Sequence, residues 1–100
     1  MSERYFESVL GDLDPQKLER AAEFVMAQEG HLPESREELE MQRRILEKYI
    51  DQRTAGLDPE SIPEDETLRE VVRCRMDLCN ALAGRYGEEY RALSARFGIE

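Results

Sequence analysis

Residues 67–97 constrain the chain more than any other stretch. Placed on one helix, Leu68, Val72, Cys79, Leu82, Tyr86, Tyr90, Leu93 and Phe97 fall on one narrow stripe. A stripe of that kind has to be covered, either by other helices of the chain or by a partner. Gly84 and Gly87 interrupt it, and each glycine inside a helix costs roughly 1 kcal/mol relative to alanine. Yet Leu82, Tyr86 and Tyr90 keep phase with Leu68 and Leu93 only if the helix continues. The periodicity therefore predicts one continuous or gently kinked helix, roughly 45 Å long at about 1.5 Å per residue. That exceeds the span of a compact domain of this size. The reading leaves an overhanging end, with Tyr86, Tyr90, Leu93 and Phe97 exposed and awaiting a partner.

The rest of the chain reads as further helices. Tyr5, Phe6, Val9 and Leu10 share a face, which predicts a short helix over residues 3–10, capped by Ser2 and ended by Gly11. Asp14-Pro15 opens a second helix, because aspartate caps well and proline lacks the N–H that would go unpaired there. Leu13 and Leu18 occupy the positions of a hydrophobic staple. Leu18, Ala21, Ala22 and Val25 form its stripe, flanked by Phe24 and Met26, and Gly30 stops it. Ser35 and Glu38 match a capping box for a third helix that runs to about Thr54 or Ala55. Leu39, Leu46 and Ile50 lie on one line and Met41, Ile45 and Tyr49 on another, a face broad enough to touch two neighbours. On the same helix Arg43 and Arg44 are spaced to pair with Glu40 or Glu47 as exposed ion pairs. Asp58-Pro59 repeats the Asp14-Pro15 grammar, with Leu57 and Ile62 in the staple positions, and Pro63 closes a single turn. Thr67 and Glu70 form another possible capping box for the last helix, and Gly98 is its natural terminator.

Charge narrows the classes of function. The chain carries 14 basic and 23 acidic residues, for a net charge of -9. That sign opposes phosphate backbones, which need cationic surface, and anionic lipid likewise. It suits solubility, or a basic partner surface. No apolar run approaches the roughly 20 residues that cross a bilayer, and the opening Met1-Ser2-Glu3-Arg4 has no signal-peptide layout. The expected location is cytoplasmic. Cys74 and Cys79 point about 140° apart on a helix and cannot bridge within it. With no Cys-x-x-Cys pair a zinc site is not expected, and no cofactor is expected either.

Three features bear on chemistry. Arg75 projects near the middle of the apolar stripe. Such a residue runs its methylenes along the core to the surface, or pairs with a carboxylate from another helix, for which Glu29 is a candidate, or serves an anion-binding or interface role. His31 stands alone in a Gly-His-Leu-Pro turn, with glutamine at position 28, which disfavours a Glu-x-x-His di-iron site. Glu34, Glu37 and Glu40 have Glu-x-x-Glu spacing, similar to the paired acidic motifs of all-helical nucleotide pyrophosphohydrolases. No Glu-x-x-Asp follows on the next helix, and acid in a first turn is also what the helix dipole favours.

These readings converge on a single all-α domain over residues 1–100, a small bundle of about four helices with a long C-terminal helix. The expected function is that of a non-enzymatic interaction or regulatory protein, an adaptor or accessory subunit. Its expected interface is Arg75, Tyr86, Tyr90, Leu93 and Phe97, occupied by a protein partner or by a second copy in a homodimer, with neither nucleic acid nor membrane involved. The alternative is a metal-dependent helical hydrolase with Glu34, Glu37 and Glu40 as ligands.

Overall fold

A computed structural model describes residues 3–12, 14–28, 31–58, 65–82 and 85–99. They form five helices: α1 (Glu3–Asp12), α2 (Pro15–Met26), α3 (Arg36–Arg53), α4 (Glu66–Ala81) and α5 (Gly87–Phe97). No strand occurs among the described residues, so the all-α bundle stands. Several expectations lie outside these residues: the Ser2 cap, the staple positions Leu13 and Ile62, Glu29 beside Arg75, the stop at Gly30, Pro59 and the turn closed by Pro63, and the interruption at Gly84.

The helix starts follow local chemistry. Asp14 Oδ1 accepts from the Gln16 N–H at 2.9 Å and the Lys17 N–H at 3.4 Å, so α2 begins at Pro15. The Ser35 hydroxyl accepts from the Glu38 N–H at 3.4 Å and donates to the Glu37 carboxylate at 3.0 Å. Half of the expected capping box is thus formed, and the serine proton goes to Glu37. The cap of α4 is Asp65, not Thr67: its Oδ1 accepts from the Leu68 N–H at 3.2 Å, and Thr67 lies within the first turn. α1 passes through Gly11 to Asp12, two residues beyond the expected end.

α3 is the central element and packs against α1, α2 and α4. Both of its predicted apolar lines are used: Leu39, Ile45, Leu46, Tyr49 and Ile50 are buried, and Met41 is half-buried. Phe6 and Val9 of α1 and the Leu18–Val25 face of α2 join the same core.

The main departure is at the C-terminal end. In place of one long helix there are two, and α5 has only 11 residues. The largest extent of the molecule, 35 Å, is shorter than the continuous helix would have been. α4 ends where the Leu82 N–H reaches the carbonyls of Leu78 and Cys79 at 3.1 and 3.2 Å, and the Arg85 N–H closes a further turn on Leu82 O at 3.3 Å. α5 then runs back antiparallel to α4. Its start lies at the end of α4, where Cys79 meets Glu89, and its end lies at the beginning, where Arg69 Nη1 donates to Phe97 O at 2.6 Å. Gly98 adopts the left-handed conformation, φ 64°, and the Ile99 N–H closes on Ser94 O at 3.0 Å. The physical reason for the fold-back is burial. Leu93, Phe97 and Ile99 enter the core of their own chain and need no partner to leave water.

Candidate functional site

Where α3, α4 and α5 meet, charged side chains gather in the interior. Arg75, the arginine on the apolar stripe, is 8% exposed and Arg43 is 7% exposed. Both reach the carboxylate of Glu89 on α5. Arg75 Nη2 donates to Oε1 at 2.9 Å, and Arg43 Nη1 donates to Oε1 at 2.8 Å and Oε2 at 3.1 Å. Arg43 Nη1 also bonds Glu47, one turn along α3, at 3.1 Å. Its guanidinium lies over the Tyr86 ring, 4.2 Å from the centroid. The Cys79 thiol donates to Glu89 Oε2 at 2.9 Å.

The electrostatics follow from this arrangement. Burial would push the Glu89 carboxyl up, but hydrogen bonds from Arg75 and Cys79 and the two guanidinium charges outweigh it and hold the group below the ordinary carboxylate range. The Cys79 thiol is pushed up to about 12, first by burial and then by its bond to the Glu89 carboxylate. It is therefore a protonated donor and not a nucleophile at neutral pH. Burial likewise raises the Cys74 thiol. Two cations face two carboxylates, Glu89 and Glu47, so the cluster is balanced in charge, while Nε of Arg43 and of Arg75 is buried with no hydrogen-bond partner among the described residues. It works as a clasp that holds α5 on α3 and α4.

The predicted site residues fall into two groups. Arg75 and Tyr86 belong to this clasp, Tyr86 through Arg43. Tyr90 is half-buried, and Leu93 and Phe97 are buried in the core, so the exposed apolar end that would have formed the interface does not exist in this fold. Glu34, Glu37 and Glu40 do not converge. Glu34 is exposed, Glu37 bonds Ser35, and Glu40 accepts from Arg85 Nη1 at 2.7 Å. Among the described residues no group of three or more His, Cys, Asp or Glu side chains is placed to hold a metal ion. His31 is exposed.

Sequence reasoning missed Glu89 and the burial of Arg43. The signal for Glu89 was present: it lies three residues after Tyr86 and four before Leu93, on the same helical face. A carboxylate there, together with an arginine on the stripe, specifies a pair. Arg43 carried the same signal, four residues after Leu39 and three before Leu46 on the apolar line of α3, but its spacing to Glu40 and Glu47 also fitted an exposed pair.

The surface offers several concavities. Beside the clasp lies one of about 440 Å³, lined by Arg85, Tyr86, Gly87, Glu88 and Glu89. Two others are grooves with apolar side chains in their lining. One, of about 490 Å³, lies between α1 and α3 over Leu10, Gly11 and Met41. The other, of about 380 Å³, lies among α2, α3 and α4 over Ala22, Met26 and the edge of Tyr49. Its lining carries the carboxylates of Glu19, Glu23 and Glu70 together with the cation of Arg53. Exposed large apolar side chains among the described residues are Leu32 and Leu57, which do not make a continuous apolar patch. No helix of the described residues is long and apolar enough to cross a membrane. Comparison with protein-family models, with curated proteins and with solved structures finds no match.

Proposed function

We propose that the chain is a small acidic interaction protein, an adaptor or accessory subunit acting in the cytoplasm, that engages a protein partner through its charged surface. One observation carries this reading. In the interior Glu89 is held by two arginines and the Cys79 thiol donates to it, so neither the carboxylate nor the thiol is free for chemistry. What remains outward is charge, with a net -9 over the chain. A surface of that sign favours partners bearing lysine and arginine and sets association rate and salt dependence more than affinity. The argument for a homodimer through the end of the last helix lapses, because α5 covers that apolar surface within one chain. The reading therefore moves from self-association to a heterologous partner.

The test is to purify the tagged full-length chain from its own cells at low salt, cross-link it, and determine the mass and composition of the complex. The expected result is a complex of fixed stoichiometry that dissociates as salt is raised. A chain that forms no such complex, and that instead hydrolyses nucleoside triphosphates with magnesium in a manner abolished by Glu37→Ala, overturns the reading.

A further inference from the structure

The groove among α2, α3 and α4 has a composition that selects its occupant. Glu19 and Glu23 stand one turn apart on α2, and Glu70 faces them from α4. All three are exposed, and among the described residues none is within ion-pairing distance of a cation. Like charges one turn apart repel, and although Arg20 stands three residues before Glu23, it forms no ion pair with it among the described residues. The cation on the groove's own lining, Arg53, is committed to other partners. Its Nη2 bonds Asp65 at 2.6 Å, its Nη1 bonds the Tyr49 hydroxyl at 3.0 Å, and its guanidinium lies 5.7 Å from the Tyr49 ring centroid. The floor between the carboxylates is apolar, with half-buried Met26 set between Ala22 and Tyr49. A methionine in that position adapts to the shape of an incoming side chain.

We propose that this groove is a docking site for a basic segment of a partner protein, one with an apolar anchor side chain flanked by lysine or arginine. The anchor lies on Met26, and the flanking cations meet Glu19 and Glu23 on one side and Glu70 on the other. Charge complementarity selects this occupant: three uncompensated carboxylates surround a floor that takes an aliphatic or aromatic side chain. The groove between α1 and α3 is the weaker candidate. Its Glu40 is already engaged by Arg85, and Arg44 on its lining offsets Glu7. The proposal rests on the interaction role given above and names the surface and the chemistry of the partner.

The probe is a fluorescently labelled synthetic peptide with a leucine anchor between lysines and arginines. Anisotropy with the full-length protein measures its binding, and a glutamate-for-lysine version of the peptide is the control. We expect binding of the basic peptide only, weakening as salt is raised. The variant E19Q/E23Q/E70Q should weaken it by about tenfold, the order expected for losing three favourable charge contacts. The variant E7Q/E34Q/E88Q removes the same charge from exposed positions outside the groove and should change binding by no more than about twofold. Met26→Gln keeps the charge and should weaken binding severalfold. All positions changed are on the surface or half-buried, and circular dichroism confirms that each variant stays helical.

Equal losses in the two triple variants would show diffuse attraction and overturn the groove. So would an unaffected E19Q/E23Q/E70Q, or no binding by the unmodified protein. A dimer in light scattering that E19Q/E23Q/E70Q dissociates would place a second copy in the groove, and would overturn the assignment to a partner. If the groove fails while the salt-sensitive cellular complex still forms, the interaction role stands and acts through another face. If that complex is also absent, the role itself falls.

Discussion

Arg75 and Glu89 stand 14 residues apart in the chain and 2.9 Å apart in space. Their ion pair joins the middle of α4 to the first turn of α5, and it carries Arg43 of α3 and the Cys79 thiol with it. One carboxylate thus ties three helices together at the place where the chain reverses.

Removing that carboxylate leaves two buried guanidiniums short of a counter-charge. Arg43 keeps Glu47, but Arg75 has no other carboxylate within bonding distance among the described residues. Glu89→Gln should destabilise the protein by about 3 kcal/mol, read as a lower urea midpoint. The sign of the pH effect follows from the same geometry. The folded protein holds Glu89 below its unfolded pKa, so its contribution is complete above the ordinary glutamate range and is lost as pH falls through the folded value. Stability of the unmodified protein should fall as pH drops below about pH 4 to 5, and the Glu89→Gln variant should show a flatter profile there.

Gln42 presents the opposite situation. It is fully buried on α3, and among the described residues neither polar atom of its amide has a hydrogen-bond partner. A buried amide left unpaired costs about 1–3 kcal/mol. Gln42→Met keeps the length and removes the polar atoms, and should raise stability by about 1 kcal/mol. Chemical denaturation of the two proteins side by side checks this. A loss of stability would mean that the amide is satisfied in solution.

Cys79 should be inert in the folded state. With its thiol pushed up to about 12, the thiolate population at neutral pH is negligible. Iodoacetamide labelling followed by mass spectrometry should leave Cys79 unmodified under native conditions and label it fully in urea. In Glu89→Gln the thiol loses its carboxylate acceptor, and labelling should accelerate.

Two glycines should respond to alanine with opposite signs. A Cβ at Gly11 or at Gly56 would meet nothing within 4 Å, so packing does not separate them. Gly11 is inside α1, where alanine is the better helix former, and Gly11→Ala should stabilise by about 0.5 kcal/mol. Gly56 holds φ at 87° after α3, a left-handed conformation that burdens any Cβ, and Gly56→Ala should destabilise by about 1 kcal/mol. Thermal melts of the pair measure both.

The Asp14 cap provides a local check on α2. Asp14→Ala removes the acceptor for two N–H groups and should destabilise by about 1 kcal/mol. Asparagine at the same position should restore most of the loss.

Much of the helical layout was legible from residues alone, because its causes are local. Asp14 and Pro15 start α2 by chemistry that needs no tertiary context, and Ser35 and Gly98 mark ends for similar reasons. The apolar spacing of Leu39, Ile45, Leu46 and Ile50 selects the buried face of α3 directly, since periodicity is a property of the backbone. Arg75 stood out as an arginine on the apolar stripe, but its spacing left open whether it reached the surface or met an acid. The break before α5 was not legible. The phase of Leu82, Tyr86, Tyr90 and Leu93 is the same whether the stripe runs on as one helix or returns as two, and only the area buried distinguishes them. A returning α5 puts Leu93, Phe97 and Ile99 into the core, which a straight helix would leave in water. That return in turn created what no local rule contains. It brought Glu89 to Arg75, covered Arg43, and withdrew the apolar end that had been expected to meet a partner. Local chemistry therefore set the helices and their inner faces, while burial between segments distant in sequence set the reversal of the chain and the charge cluster that holds it.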